Sequence, residues 1–368
     1  MAELAPEDLA DRLEDGDSQP LILDIRHEDE FESWHIPDSV NIDVYDTLKE
    51  SPEQAQSALE TLPQDKEIVT VCAAGAVSDT ATTVLTDLGY EASTLEEGMR
   101  GWSRVHLAAE LPTTGPEQLL QVARPGTGCL SYVLIDDGEA VVVDPSQYTQ
   151  NYLDLIDAHG ATLTAVLETH AHADHISGAQ ELAETHDIPH YLHRADAGAL
   201  TSITTLTDGQ VLSIGSFEIE AIHTPGHTEG SVTFNVDGET LLTGDTLFLE
   251  SVGRPDLEGG NEEAIRGRTQ TLFNSLQRIL GQSDDLLVLP AHDPGAPEPP
   301  TTASLHDVRE HNEVLEYDQE GFVEAITANI PETPPNHEQI KRVNTGKENV
   351  EDEEARQLEL GPNQCAAN

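Results

Sequence analysis

A short run of histidine and aspartate, from Thr169 to His175, constrains the fold of this chain more than any other feature. It reads Thr-His-Ala-His-Ala-Asp-His and follows the apolar run Ala165 to Leu167 after a single residue, Glu168. That apolar run predicts a buried strand, so the polar residues stand at the strand's carboxyl end, on the turn into a helix. Ligands of α/β proteins bind at that edge of the sheet, and Zn²⁺ and Fe²⁺ prefer imidazole and carboxylate ligands. The run therefore predicts an α/β domain with a metal site at its sheet edge.

Three more candidate ligands stand at the ends of other predicted strands. His227 lies in His-Thr-Pro-Gly-His-Thr, Asp245 ends Leu-Leu-Thr-Gly-Asp, and His292 follows Leu-Leu-Val-Leu-Pro-Ala. One motif can arise by accident, but four strand-end matches in order rarely do. In the first run, two histidines two positions apart can converge on one ion, and the Asp-His pair that follows can serve a second. The sequence therefore predicts a centre with one or two metal ions.

This series resembles the ligand series of the metallo-β-lactamase superfamily in number and order. The resemblance implies an αβ/βα sandwich whose metal site lies between the loop edges of two sheets. The implied ligands are His170, His172, Asp174, His175, His227, Asp245 and His292.

Two segments are similar to the persulfide dioxygenase branch of that superfamily. They are Gly244 to Phe248 and Gly253 to Leu257, the second reading Gly-Arg-Pro-Asp-Leu. Two tail segments, Ile330 to Gly346 and Leu360 to Asn368, are also similar to members of this branch, which are often fused to rhodanese domains. The resemblance implies oxidation of a low-molecular-weight thiol persulfide by O₂ to sulfite and thiol, with Arg254 as a substrate-binding residue.

In that branch three side chains hold one Fe(II), and by motif position they are His170, His227 and Asp245. Two neutral imidazoles and one carboxylate leave a divalent cation with one net positive charge and open positions, which suits O₂ chemistry. The other four side chains then surround the iron or hold a second metal: His172, Asp174, His175 and His292.

Two other functions remain open at this point. A dinuclear zinc site would use all seven side chains to hold a bridging hydroxide, as in a thioester hydrolase of the glyoxalase II type. The ligand set alone does not separate the two enzymes, but the Gly-Arg-Pro-Asp-Leu segment and the domain before it favour the dioxygenase. A non-enzymatic sulfur carrier with a structural zinc fits less well, because structural zinc sites are usually rich in thiolates.

The first part of the chain resembles a rhodanese domain. Strands alternate with helices there, which indicates a parallel sheet, and the resemblance rests on residues 24–26 and 34–42 and on the loop Cys72 to Ser78. It implies that Cys72 accepts sulfane sulfur as a persulfide. Backbone N–H groups at a helix N-terminus would stabilise its thiolate. Active rhodaneses usually carry an arginine where Val77 stands, so a neutral or protein-bound persulfide is favoured over thiosulfate as the donor.

We therefore expect an α/β protein with three segments. A rhodanese-like parallel-sheet domain covers residues 1–111, and a metallo-β-lactamase domain covers 112–300. The proline-rich segment Pro294 to Pro300 interrupts regular structure. A helical extension at 301–368 is expected to pack on the metallo-β-lactamase domain.

The charge balance excludes some partners. The chain has 17 basic and 70 acidic residues, giving a net charge of −53, and the acids are spread along the whole length. Such a surface repels nucleic acid and suggests a halophilic protein, because molar salt shortens the Debye length to about 3 Å. No apolar stretch is long enough for a membrane span, and the N-terminus has no signal-peptide pattern, so we expect a cytoplasmic protein. Relatives suggest a homodimer or homotetramer.

Three cysteines in unrelated contexts do not predict a disulfide framework. Beyond Cys72, the sequence offers little about them. Cys129 lies in a predicted strand, where packing is the simplest role, and Cys365 lies in the tail without a physical explanation.

Overall fold

The computed structural model describes residues 2–14, 19–293, 300–328, 330, 333–361 and 365–367. The proline-rich segment 294–300 lies outside them except for Pro300. The chain divides into two compact units, the first formed mainly by residues up to Leu107 and the second mainly by residues from Ala108 to Glu359. Among the described helices, none is both long and apolar enough to cross a membrane.

The first unit is a parallel sheet with helices packed against it. Its strands are β1 Glu3–Leu4, β2 Leu21–Asp24, β3 Val40–Asn41, β4 Ile68–Val71 and β5 Ala92–Leu95. Its helices are α1 Pro6–Glu14, α2 Glu28–Ser33, α3 Tyr45–Glu50, α4 Pro52–Leu59, α5 Ala76–Asp87 and α6 Gly98–Trp102. The strand order is β1-β5-β4-β2-β3, and each neighbouring pair is parallel.

The short apolar runs of this unit form strands because both faces of the sheet are covered. Leu23 and Ile68 belong to one apolar cluster, and the alternating neighbours Ile22 and Val69 belong to another. Strands that are buried on both faces read as continuous apolar runs rather than alternating ones. The parallel α/β fold that the sequence predicts for this unit is confirmed.

The second unit contains two large sheets and a two-stranded ribbon. Its strands are β6 Leu107–Leu111, β7 Gln118–Arg124, β8 Cys129–Asp136, β9 Glu139–Val143, β10 Thr162–Leu167, β11 His190–His193, β12 Thr204–Leu206, β13 Gln210–Ile214, β14 Phe217–His223, β15 Val232–Val236, β16 Thr240–Gly244, β17 Val252–Gly253, β18 Leu287–Pro290, β19 Ala303–Ser304 and β20 Ala366–Ala367. One sheet has the order β12-β11-β10-β9-β8-β7-β6 and the other β13-β14-β15-β16-β18-β19, while β17 pairs with β20.

Most helices of this unit cover the outer faces of the two sheets, and the last two pack against Ile176 instead. The helices are α7 Thr149–Ala158, α8 Ala179–His186, α9 Glu262–Leu280, α10 Leu305–His311, α11 Gln319–Ala328, α12 His337–Asn344 and α13 Asp352–Leu358, with a 3₁₀ turn at Glu313–Glu316. The longest of these is α9, and the predicted extension contains α10 to α13.

The order of the layers can be deduced from the side chains that belong to the same buried cluster. Leu134 of β8 and Phe234 of β15 belong to one buried cluster, so the two sheets pack face to face. Tyr152 of α7 lies in a cluster with the outer face of the first sheet, and Leu272 of α9 lies in a cluster with the outer face of the second. The result is a helix-sheet-sheet-helix sandwich, and the αβ/βα fold predicted from the metal motif is confirmed.

This arrangement positions the candidate ligands. The run from Thr169 to His175 begins two residues after β10, and His227 follows β14 by four residues. Asp245 comes directly after β16, and His292 stands two residues after β18. Because β16 and β18 are parallel neighbours, their carboxyl ends meet at one edge of the second sheet. The predicted strand-end positions are those that the structure shows.

Candidate metal centre

Three of the predicted ligands converge on one point. Nε2 of His170 lies 3.6 Å from Oδ2 of Asp245, and Nε2 of His227 lies 3.5 Å from the same oxygen. One donor atom from each residue lies within 4.8 Å of the other two. All three side chains are buried. This spacing leaves room for one cation that contacts two imidazole nitrogens and a carboxylate oxygen.

Hydrogen bonds fix which nitrogen of His170 faces the centre. The Thr169 hydroxyl donates to Oδ2 of Asp144 at 2.8 Å, so its oxygen is left to accept from Nδ1 of His170 at 2.9 Å. The Thr169 backbone N–H also donates to Asp144, at 2.7 Å. Because Nδ1 carries the proton, Nε2 presents a lone pair toward Asp245, which is the tautomer a metal ligand needs.

His227 is oriented in the same way. Its Nδ1 donates to the backbone carbonyl of Arg254 at 2.9 Å, which leaves Nε2 facing Asp245. Burial lowers the pKa of His227 to about 4, although the nearby Asp245 carboxylate opposes that shift. The ring is therefore neutral at pH 7, as a metal ligand must be.

The chemistry of the buried atoms fits a metal ion. His170 Nε2 and Asp245 Oδ2 are buried and have no hydrogen-bond partner among the described residues. Buried polar atoms without partners are rare in native proteins, because each costs free energy. A divalent cation held by His170, His227 and Asp245 would satisfy both atoms.

His172 does not join this group of three. Its Nε2 lies 3.1 Å from Oδ1 of Asp144, the same carboxylate that holds Thr169. Burial and the neighbouring imidazole of His170 lower the pKa of His172. A site that used His172 as a fourth ligand would require its ring to leave Asp144.

The other three predicted ligands form a second group around Asp174. Its Oδ2 lies 3.1 Å from Nδ1 of His175 and 2.7 Å from Nε2 of His292. Nδ1 of His292 contacts Oδ1 of Asp245 at 2.5 Å, so this ring stands between the two carboxylates. Burial opposes its charged form, but Asp174 and Asp245 raise the pKa of His292 well above its usual value. The two carboxylates therefore favour the charged form of His292.

Two cysteines that the sequence did not assign lie beside these groups. Sγ of Cys129 is 3.3 Å from Oδ2 of Asp174 and 3.7 Å from Nδ1 of His175. Cys365 offers a sulfur near Asp245 and His292, and burial raises the pKa of its thiol well above the usual value. No local pattern marks Cys129, since it opens an ordinary apolar strand. Cys365 could have been suspected only from its place in a tail segment similar to relatives.

Arg254 lies behind the centre. Its guanidinium makes two hydrogen bonds to Asp256, at 2.9 and 2.8 Å, and its side chain is 1% exposed. Its backbone carbonyl accepts from His227. The structure thus gives Arg254 a place in the support of His227, while substrate binding by its side chain stays a prediction.

The predicted sulfur-transfer loop lies in the first unit. Cys72 follows β4 and is buried, and helix α5 begins four residues later, at Ala76. Its Sγ accepts from the backbone N–H and the hydroxyl of Ser78, at 3.4 and 3.3 Å. Gly75, with φ at +84°, makes the turn into the helix. The loop can therefore stabilise a sulfur anion with two donors, although no charged side chain stands between Cys72 and Ser78.

Two family models match the chain. Residues 124–292 match the metallo-beta-lactamase superfamily, and residues 5–105 match the rhodanese-like domain.

Individual relatives agree with these matches. A probable metallo-hydrolase, YqgX of Bacillus subtilis, is 37% identical over 186 residues, which is 45% of this chain and 84% of that protein. The human mitochondrial persulfide dioxygenase ETHE1 is 32% identical over 183 residues, which is 48% of this chain and 69% of that protein. The crystal structure of ETHE1 from Myxococcus xanthus superposes with a TM-score of 0.53 at 24% identity, covering 66% of this chain and all of that one. That structural likeness concerns the fold alone.

Proposed function

We propose, given that this chain belongs to the metallo-β-lactamase superfamily and carries a rhodanese-like domain, that it is an iron-dependent persulfide dioxygenase. Members of the superfamily are metal-dependent enzymes. The proposed reaction converts R–S–SH, O₂ and water into R–SH and sulfurous acid, which ionises to sulfite. The sulfur–sulfur bond breaks, the outer sulfur is oxidised, and O₂ is reduced. R–SH leaves as a low-molecular-weight thiol.

One observation carries this proposal: three candidate ligands converge on one point, and His172 is not part of that group. His170, His227 and Asp245 face one point, whereas His172 contacts Asp144. Two neutral imidazoles and one carboxylate form the donor set of many non-haem Fe(II) oxygenases, which keep open positions for O₂ and substrate. When bound, Fe(II) would supply the redox chemistry that lets O₂ react with the outer sulfur.

The residues around the iron position would bind and orient the reactants. One net positive charge at the centre favours the persulfide anion R–S–S⁻ over the neutral thiol. Burial of the ligands limits water, which protects reactive sulfur from side reactions. His292, held between Asp174 and Asp245, is placed to hold a proton that the thiolate product needs when it leaves.

The rhodanese-like domain fits the same sulfur chemistry. Cys72 as a thiolate would attack the outer sulfur of a persulfide, forming Cys72–S–SH and releasing R–S⁻, so that one sulfur–sulfur bond replaces another. The two donors from Ser78 stabilise the anion before and after transfer. The likeness to human persulfide dioxygenase supports the dioxygenase reaction proposed for the metallo-β-lactamase domain.

A zinc-dependent thioester hydrolase is the second candidate. It is favoured by the group around Asp174, because Asp174, His175 and His292 supply the side chains of a second metal position. The likeness to a probable metallo-hydrolase supports it too. It requires His172 to turn from Asp144 toward the metal.

Metal analysis together with oxygen uptake separates the two candidates. We expect about one iron per chain, consumption of O₂ with a small-thiol persulfide, and release of sulfite. Asp245→Asn removes the only carboxylate of the ligand set and should lower iron content and oxygen uptake together, because the cation loses its anionic ligand. The exposed Asp237, which lies in a hairpin turn, offers a matched Asp237→Asn control.

Two zinc ions per chain, no oxygen uptake, and release of thiol from an acylated thiol under strict anaerobiosis would exclude the dioxygenase and establish the hydrolase.

A further inference from the structure

The segment Arg342 to Gly346 plays no part in the function proposed above. It lies in the helical extension, far along the chain from every predicted ligand. Helix α12 ends at Asn344, and Thr345 and Gly346 follow it. Contacts of this segment nevertheless reach the loop that carries the ligands.

The side-chain amide of Asn344 fastens that loop at three points. Its Nδ2 donates to the backbone carbonyl of His172 at 2.9 Å and to that of His175 at 2.7 Å. Its Oδ1 accepts from the backbone N–H of Ser177 at 2.9 Å. Both amide protons and the oxygen are therefore engaged, and the two carbonyls lie on either side of Asp174.

Other parts of the extension hold the same region. Oε2 of Glu359 accepts from the backbone N–H of Ile176 at 2.9 Å. The carbonyl of Cys365 accepts from the N–H of Arg254 at 3.0 Å, and the carbonyl of Arg254 accepts from His227. The ligand loops are thus tied to a part of the chain that supplies none of the predicted ligands.

We propose that Asn344 is a positioning residue of the metal centre. By holding the carbonyls of His172 and His175, it fixes the curvature of the loop, and with it the directions of His170, His172 and Asp174. Side chains that orient ligands typically change metal affinity by about 10–100-fold when they are removed. The inference rests on the presence of a metal centre and is the same for a dioxygenase and for a hydrolase.

The geometry explains why an amide is needed at this position. Aspartate has the same shape and keeps an oxygen for Ser177. It has no N–H to donate, and its charge would face two carbonyl oxygens. Alanine removes all three hydrogen bonds without adding a charge. If Asn344 acts as proposed, both substitutions loosen the loop, and aspartate does so more strongly.

Cobalt binding tests the proposal without any turnover. Full-length protein is stripped of metal and titrated with Co²⁺, and affinity, dissociation rate and the visible absorption of the bound ion are measured. For Asn344→Asp and Asn344→Ala we expect affinity to fall by about 10–100-fold, with an altered cobalt spectrum. Asn349, five residues further on and exposed, supplies the control: Asn349→Asp adds the same charge and should match the wild type.

The unfolding temperature of the metal-free protein separates positioning from folding. We expect the alanine variant to fold without metal and to lose affinity all the same. If Asn344→Ala and Asn344→Asp bind Co²⁺ within twofold of the wild type and give its spectrum, the proposal is overturned. A failure of the oxygen-uptake test leaves these outcomes unaffected, because cobalt binding does not depend on the reaction.

Discussion

In the rhodanese-like loop, one side chain bears on the proposed choice of sulfur donor. Val77 is partly buried against the apolar cluster that α5 forms with the sheet, and the loop from Cys72 to Ser78 has no charged side chain. An anionic donor such as thiosulfate therefore finds backbone and hydroxyl donors but no cation. A neutral or protein-bound persulfide depends less on a cationic side chain in the loop.

Val77→Arg should convert this loop into a thiosulfate-using one. A guanidinium can make two charge-assisted hydrogen bonds to the donor, and such bonds contribute roughly 1.5–3 kcal/mol. We expect sulfur transfer from thiosulfate to cyanide to rise by about 10–100-fold in kcat/KM. Val77→Met, of similar bulk but without charge, is the control. An equal rise in both variants would show that loop loosening, and not charge, is responsible.

Single residues also show which parts of the site could be predicted from the sequence and which could not. The positions of the candidate metal ligands could be predicted because each follows an apolar strand within a few residues, so local pattern and position agree. Asn344 and Cys365 could not be given a role in this way. Their importance comes from contacts with residues far away in sequence, such as the carbonyl of His175. Every residue has a backbone carbonyl, so a contact with one cannot be recognised in the sequence.

At the scale of elements, helix α9 packs closely against the loop before His227, at Gly226. Gly226 has φ at +143°, and a Cβ atom there would lie 2.4 Å from Cα of Leu272. Another glycine, Gly267, stands in an exposed turn of the same helix, where a Cβ atom would meet nothing within 4 Å. The two positions thus differ in backbone conformation and in free space.

Substitution by alanine should lower the stability of the protein at Gly226 and raise it at Gly267. Gly226→Ala combines a strained backbone with overpacking and should destabilise the protein by roughly 2–4 kcal/mol, with loss of metal because His227 is the next residue. Gly267→Ala should stabilise it by about 0.5–1 kcal/mol, since alanine favours a helix interior. Denaturant unfolding of both variants measures the two effects. Equal stability of the two would contradict the close packing of α9 on the loop.

A helix or strand can be predicted when its apolar spacing extends over many residues, and it cannot be predicted when the element is very short. Helix α9 keeps an apolar spacing over five turns. The ribbon of β17 and β20 has two residues in each strand. Two residues are too few to show an apolar periodicity. That ribbon forms because the tail returns to the segment after Asp245, which depends on the whole fold.

For the whole molecule, charge is the dominant physical fact. With 70 acidic residues and 17 basic ones, most carboxylates have no opposite charge to pair with. Several basic residues are already engaged, such as Arg12 with Glu67 and Lys341 with Glu258. Self-repulsion of such a surface destabilises the compact state, and the fold must offset it through its cores.

Salt should therefore stabilise this protein far more than it does an ordinary one. The Debye length falls from about 8 Å at 0.15 M to about 3 Å at 1 M salt, so neighbouring carboxylates cease to repel one another over most surface distances. We expect the unfolding temperature to rise steeply between 0.15 and 2 M KCl and then to level off, because screening saturates. Sucrose stabilises proteins by exclusion without screening charge, and at matched osmolality it should raise the unfolding temperature much less. If KCl and sucrose give equal shifts, repulsion among the carboxylates does not limit the stability of this fold.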